Sequence, residues 1–285
     1  MPPGKASHAP SAGDTDSRLE LAGLEDRVEE ARAYLARGLP FSVKTSLTLG
    51  SGLGSVRDAF ETVRAFPYRD IPHFPVSTVV GHRGELVVGK RGSKRIIILD
   101  GRVHCYEGYS WSKVTFPVRV LHALGVTTMI LTNASGAVSG RLRPGDIMLI
   151  DDHIDLLWKG VAGITRGPQA MRRPYYSRRM TDLAGKVAVA KGIAAKRGVL
   201  LATTGPAYET RQEVEFARKM GADSVTMSTV PEVTVCHELG ISVVGMSLIT
   251  NVAASHEGGH AKVIGFAAQA SRNLRELVLG VLDAI

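Results

Sequence analysis

The chain has 285 residues, 44% hydrophobic and 22% charged, which is ample for a buried core and too apolar for a disordered protein. Its two cysteines, Cys105 and Cys236, lie far apart and outside any CxxC spacing, so neither a disulfide scaffold nor a structural metal site is expected, and a reducing, cytoplasmic compartment fits. The net charge of +8 is concentrated: Lys159 to Arg197 carries ten Lys/Arg against one acid, Asp182, leaving the rest of the chain close to neutral. That segment reads as a solvated loop and helix face or as an anion-attracting rim. No RNA-recognition aromatic pair or GxxG loop accompanies it, so no nucleic-acid partner is expected.

In chain order, residues 1–17 are rich in Pro, Gly, Ala and Ser, lack the apolar core of a secretory signal and read as a disordered tail. The spacing of Leu21, Leu24, Val28, Ala31 and Leu35 predicts an amphipathic helix within 18–38, with Asp16 and Ser17 as caps and Gly38 as its end. Short β-rich runs follow at 46–50, 85–89, 95–101, 127–133, 146–152, 199–205, 224–228 and 241–251, and KRGSK joins the second to the third as a hairpin. Helical patterns are read at 114–125, 210–221 and 230–240, the last with Pro231 in its first turn, and a long helix closes the chain from 259. Strands alternating with such helices predict an α/β fold: one domain over 18–285, with a mixed, mostly buried sheet flanked by helices. No run approaches the roughly 20 apolar residues of a membrane span.

The stretch TSLTLGSGLGSV (45–56) places glycines at 50, 52 and 54. A dinucleotide fingerprint needs GxGxxG before a helix and an acid about 20 residues later at a strand end. Here the spacing differs, and Asp70 falls in the Pro-flanked loop YRDIPHFP; no GK[ST] follows either, which removes a Walker loop. A turn whose bare amides face an anion fits better. Other predicted strands end in Arg102, His104 and Tyr106, in Asn133 to Gly136, in Met227 and Ser228, and in Thr250 and Asn251. Each alone is an ordinary turn residue, but ligands of open α/β sheets bind outside strand ends, and together these groups describe a polar, anionic ligand.

The blocks GSGLG (50–54), GHRGELVVG (81–89), GRVHCYEGY (101–109), TNASGA (132–137), GADSVTMSTVPEV (221–233) and SLITN (247–251) carry a resemblance. In this order they are similar to the trimeric purine nucleoside phosphorylases. The resemblance implies phosphorolysis of 6-oxopurine nucleosides (inosine, guanosine and their deoxy forms) to free base and (deoxy)ribose 1-phosphate, by a homotrimer that uses no metal or organic cofactor. It implies Ser51, His82, Arg102, His104, Ser228 and the Ala134 amide as phosphate ligands, with Glu107 orienting the His104 ring. His82 reads equally well as a surface-loop histidine. Tyr106, Met227 and His260 would meet the ribose, with His256 competing with His260. Tyr208, Glu209 and Asn251 would hold the purine, and Thr250 is either a partner of Asn251 or a plain strand threonine. Of these, Asn251, Glu209 and His104 would do the catalytic work. Cys105 is expected on a strand, pointing away from the site. A shifted base preference (xanthosine or methylthioadenosine) and a non-catalytic nucleoside-binding relative are the alternatives. Between Leu157 and Leu201 the likeness thins: Arg173 stands where the family has an aromatic, with Tyr175 or Tyr176 as substitutes, and Arg178 and Arg179 stand where it has acids.

Overall fold

In this computed structural model the described residues are 22–50, 53–79, 82–157, 173–255 and 260–285, with backbone only for 260–269. The tail at 1–17, Ser51, Gly52, His256 and the side chain of His260 therefore lie outside them. The N-terminal helix, α1 (Leu24–Ala36), buries Ala31 and Leu35 and starts after Gly23, which is in the left-handed conformation and gives no side-chain cap. The remaining order is β1 (Thr45–Leu49), β2 (Glu61–Pro67), β3 (Glu85–Arg91), β4 (Lys94–Asp100), α2 (Trp111–Ala123), β5 (Thr128–Ala137) and β6 (Ile147–Asp155). Then come α3 (Arg178–Ala190), β7 (Ala195–Ala202), α4 (Arg211–Lys219), β8 (Ser224–Thr226), α5 (Val230–Glu238), β9 (Ser242–Val252) and α6 (His260–Ala284).

The described strands form one mixed sheet in the order β2-β3-β4-β1-β5-β8-β7-β6-β9, and β9 returns to pair with β5. Five strands thus close on themselves, while β4, β1, β5 and β9 run parallel and bring their C-terminal ends to one edge. One apolar layer holds Leu86, Ile97, Met129 and Val243 with α2 and α5; the other holds Leu47, Ile98, Ile130 and Val244 with α3 and α6. Strands packed on both sides need apolar residues at successive positions, which is why RIIILD and MILT are continuous runs.

Two elements depart from the sequence pattern. ETVRAFP is the strand β2, at the sheet edge, where Phe66 is its one fully buried side chain and alternation is absent. The basic stretch contains α3, capped by Ser177 accepting from Met180 N and packed through Met180, Ala184 and Ala188. Among the described residues of that stretch, Arg197 pairs with Asp151 and Asp182, and Lys196 with Asp146, as on a solvated face. Tyr176 is 1% exposed in the core, so it cannot reach a neighbouring subunit, and Tyr175 packs on His153 and His237.

Candidate active site

A cavity of about 230 Å3 opens at the shared strand edge, lined by residues that follow β1, β4 and β8 and by the ends of β5 and β9. It brings together His82, Arg102, His104, Ala134, Met227, Ser228, Tyr208, Glu209, Thr250 and Asn251. Tyr106 joins them by stacking on His104, ring centroids 4.7 Å apart, and His104 in turn stacks on His82 at 5.6 Å. Among the phosphate ligands implied by the sequence, Ser51 is outside the described residues.

Gly50 lines the cavity and answers to a packing constraint as well. A Cβ there would lie 2.8 Å from Asn133 Cα and 2.9 Å from Thr132 O, so it is the close approach of β1 to β5 that demands glycine. Gly54 faces open space. At Gly101, with φ +110°, a side chain would collide with His82, so this glycine lets the loop carrying His82 lie against the end of β4.

The first polar end of the cavity is built on Arg102, which is 7% exposed. Its Nη1 lies 3.3 Å from Ser228 Oγ and 3.5 Å from Thr229 Oγ1, and its Nε stands 3.2 Å from Glu232 Oε2 as an ion pair. Nε is not aimed at that oxygen, so Nε and Nη2 find no hydrogen-bond partner among the described residues. Buried donors without partners are rare in folded proteins, and a guanidinium with open donors suits an oxyanion.

His104 is held by one carboxylate. Glu107 Oε1 accepts from His104 N at 2.8 Å and lies 2.9 Å from its Nδ1, while Glu107 Oε2 accepts from Thr78 N at 2.6 Å. Burial, reinforced by the Arg102 charge, depresses the His104 pKa to about 4 against the pull of Glu107. Burial acts to raise Glu107, but the bonds from Thr78 and His104 outweigh it and hold the carboxyl below its ordinary range. The pair is thus a neutral imidazole beside a carboxylate, which assigns the proton to Nδ1. His82 also sits low because of burial, its Nδ1 2.7 Å from Arg102 O. Cys105 belongs to a 3-10 turn (Cys105–Glu107), not a strand, and is partly exposed. The turn arises because Glu107 reaches back to cap His104.

At the other end, Thr250 and Asn251 both line the cavity. Consecutive residues of a regular strand face opposite sides. The β5–β9 register shifts here, Ser135 pairing with Ile249 and Gly136 with Asn251, so Thr250 is an inserted bulge residue. Thr250 Oγ1 donates to Asn251 Oδ1 at 2.9 Å, which leaves the amide Nδ2 as the donor side, and Nδ2 donates to Val252 O at 3.3 Å. Glu209 Oε1 accepts from Thr203 Oγ1 at 3.0 Å, and Tyr208 beside it is 80% exposed. The hydroxyl of Ser135 turns away to Ser247 at 2.7 Å.

A model of the phosphorylase superfamily matches residues 46–283, spanning every element of this site. The chain belongs to the phosphorylase superfamily. Within that superfamily it is 47% identical over 215 residues to purine nucleoside phosphorylase 1 of Bacillus subtilis (strain 168), covering 74% of this chain and 79% of that protein. It is also 47% identical over 211 residues to purine nucleoside phosphorylase 1 of Geobacillus stearothermophilus, covering 72% and 77%. Purine nucleoside phosphorylase of Rattus norvegicus is 42% identical over 202 residues, covering 67% and 69%. In this superfamily member, sequence reasoning missed Glu232. An acid in the first turn of a helix is ordinary, and only its burial beside Arg102 marks it.

Proposed function

We propose that the protein cleaves the N-glycosidic bond of 6-oxopurine nucleosides with inorganic phosphate, giving free base and (deoxy)ribose 1-phosphate. The observation that carries this reading is Arg102, buried with two donors that have no hydrogen-bond partner among the described residues, in a cavity also lined by the Asn251 amide and the Glu209 carboxylate. The likeness to proteins named purine nucleoside phosphorylase supports the same chemistry.

Phosphate sits on Arg102, Ser228, the Ala134 amide and Ser51, with His82 at its entrance. A fixed guanidinium fork matches a dianion. With its proton on Nδ1, His104 presents Nε2 as an acceptor, which suits the P–OH of hydrogen phosphate. Tyr106 and Met227 form the wall for the ribose, and His260 serves its 5′ end. One phosphate oxygen bonds to C1′ as the C1′–N9 bond breaks, and the electron pair of that bond passes into the purine. Asn251 Nδ2–H meets the charge that grows at N7, a contact stronger in the transition state than in the ground state. The Glu209 carboxylate accepts N1–H, and the Tyr208 ring stacks on the base. No step calls for a metal or organic cofactor. A single catalytic domain over 18–285, a homotrimer and a cytoplasmic location complete the proposal; among the described residues no helix is long and apolar enough to cross a membrane.

Inosine, guanosine, adenosine, xanthosine and methylthioadenosine, each with and without phosphate, test it by chromatography of the free base. Phosphate-dependent release of hypoxanthine and guanine is expected. Faster release from adenosine, xanthosine or methylthioadenosine would overturn the base preference, and no release from any nucleoside would leave a binding protein instead.

A further inference from the structure

The segment after β8 is folded in a way that ordinary helix starts are not. Thr229 has φ 72° and ψ −50°, and Val230 N donates to Ser228 O at 2.8 Å, which together make a γ-turn of the strained hand. Thr229 precedes α5 directly, yet its hydroxyl caps nothing there; it points instead at Arg102 and Ser228. Glu232, three residues on in the first turn of α5, brings its buried carboxylate to the same place, where the Thr229 N–H favours its charged form. The same carboxylate stands 3.2 Å from Arg102 Nε, and both side chains are almost completely buried, at 7% and 6% exposed. Burial pushes the Glu232 carboxyl up, and the Arg102 charge and the Thr229 N–H work against that push.

One carboxylate therefore stands where two things meet: the start of the helix that follows the strained turn, and the guanidinium that Ser228 and Thr229 flank, 3.2 Å away. From this juxtaposition we infer that Glu232 is a positioning residue for the phosphate site, fixing Arg102 and Ser228 in the geometry that receives the anion. It touches no substrate, and the inference rests on the phosphorolysis reading for the identity of that anion. A strained turn persists only where its surroundings over-determine it, and the buried contacts of Arg102 with Glu232, Ser228 and Thr229 are the visible part of that determination. A helix that began with an ordinary cap at Thr229 would turn its hydroxyl back to the backbone and away from Arg102.

The test is the pair of Michaelis constants, for phosphate and for nucleoside, in Glu232→Ala, Glu232→Gln and Glu232→Asp. Glu232→Ala should raise the phosphate KM about tenfold or more, with the nucleoside KM within about twofold, because the buried charge paired with Arg102 is lost. Glu232→Gln keeps the shape and an oxygen beside Arg102 but loses the charge, so it should recover part of the phosphate KM. In the Arg102→Ala background Glu232→Ala should add little, since the two residues act as one unit. An unchanged phosphate KM in Glu232→Gln and Glu232→Asp would overturn the proposal even if Glu232→Ala did not fold, and so would an equal rise in both constants. Calorimetric titration with inorganic phosphate alone should rank the variants in the same order. If the unaltered protein binds phosphate but releases no base, the phosphorolysis reading fails while the ranking still judges Glu232.

Discussion

At the proposed phosphate end of the cavity Arg102 and His104 are each 7% exposed, and Glu232 and Glu107 hold them from behind. At the proposed base end Tyr208 is 80% exposed, and Asn251 depends on a neighbouring threonine and one bulge for its orientation. The first end is a preorganised charge cradle, where donors are fixed before the anion arrives and lose little freedom when it binds. The second is a shallow, adjustable wall that can be retuned without disturbing the core. Charge stabilisation in a water-poor site needs the former, and base selection is served by the latter.

Removing the cradle's central charge should have the largest effect. Arg102→Ala is expected to lower kcat/KM for phosphate by about a thousandfold, by analogy with the loss of a transition-state charge donor. Steady-state kinetics with phosphate varied at saturating inosine will show it, and a loss under tenfold would deny Arg102 its place. Acid probes the same end through stability. The His104 pKa falls from the ordinary 6.5 to about 4 on folding, so the unfolded chain binds more protons between those values. Stability should then rise with pH from about 4 to 6.5. The contribution of His104 is on the order of 3 kcal/mol, present above pH 6.5 and lost as pH falls towards 4. The lowered Glu107 carboxyl contributes in the same direction, its share lost only as pH falls below the unfolded carboxylate range. Urea unfolding of the protein and of His104→Gln across that window checks the sign: the variant should show the shallower slope.

The base end should answer to smaller changes. Asn251→Asp replaces the amide donor by a carboxylate acceptor, which suits a 6-amino group. It should move the inosine to adenosine ratio of kcat/KM by about a hundredfold, a typical value when a site's hydrogen-bond demand is inverted. The phosphate KM should hold within about twofold if the two ends are independent. A ratio that stays put would remove Asn251 from base selection.

Legibility in the sequence divides along the same line. RIIILDG and TTMILTN announce β4 and β5 because buried strands need unbroken apolar runs, and the residues at their ends then gather at one sheet edge. Edge strand β2 is nearly silent, since only Phe66 is fully buried along ETVRAFP. Helix α3 hides in a basic stretch with Gly185 at its middle, although Met180, Ala184 and Ala188 keep the four-residue spacing. The turn at Gly50 is legible, but its packing constraint is not, because the backbone of Thr132 that it meets is 82 residues away in the chain. The Thr250 bulge is a property of register between two strands, and the burial of Glu232 is a property of the whole fold; no local pattern contains either.

The smallest effect should sharpen what Tyr208 contributes. Its ring is exposed beside Glu209 at the cavity mouth, so it gains burial only when a base lies on it. Stacking is supplied by the π-face, and Phe offers the same face as Tyr. Tyr208→Phe should therefore change the nucleoside KM by no more than about twofold, whereas Tyr208→Ala should raise it about tenfold, in line with the usual cost of losing one base–aromatic stack. Both should leave the phosphate KM where it was, because the ring lies on the open wall and not in the cradle. A rise in Tyr208→Phe as large as that in Tyr208→Ala would make the hydroxyl the working part, and the open wall would then be a second polar site rather than a stacking surface.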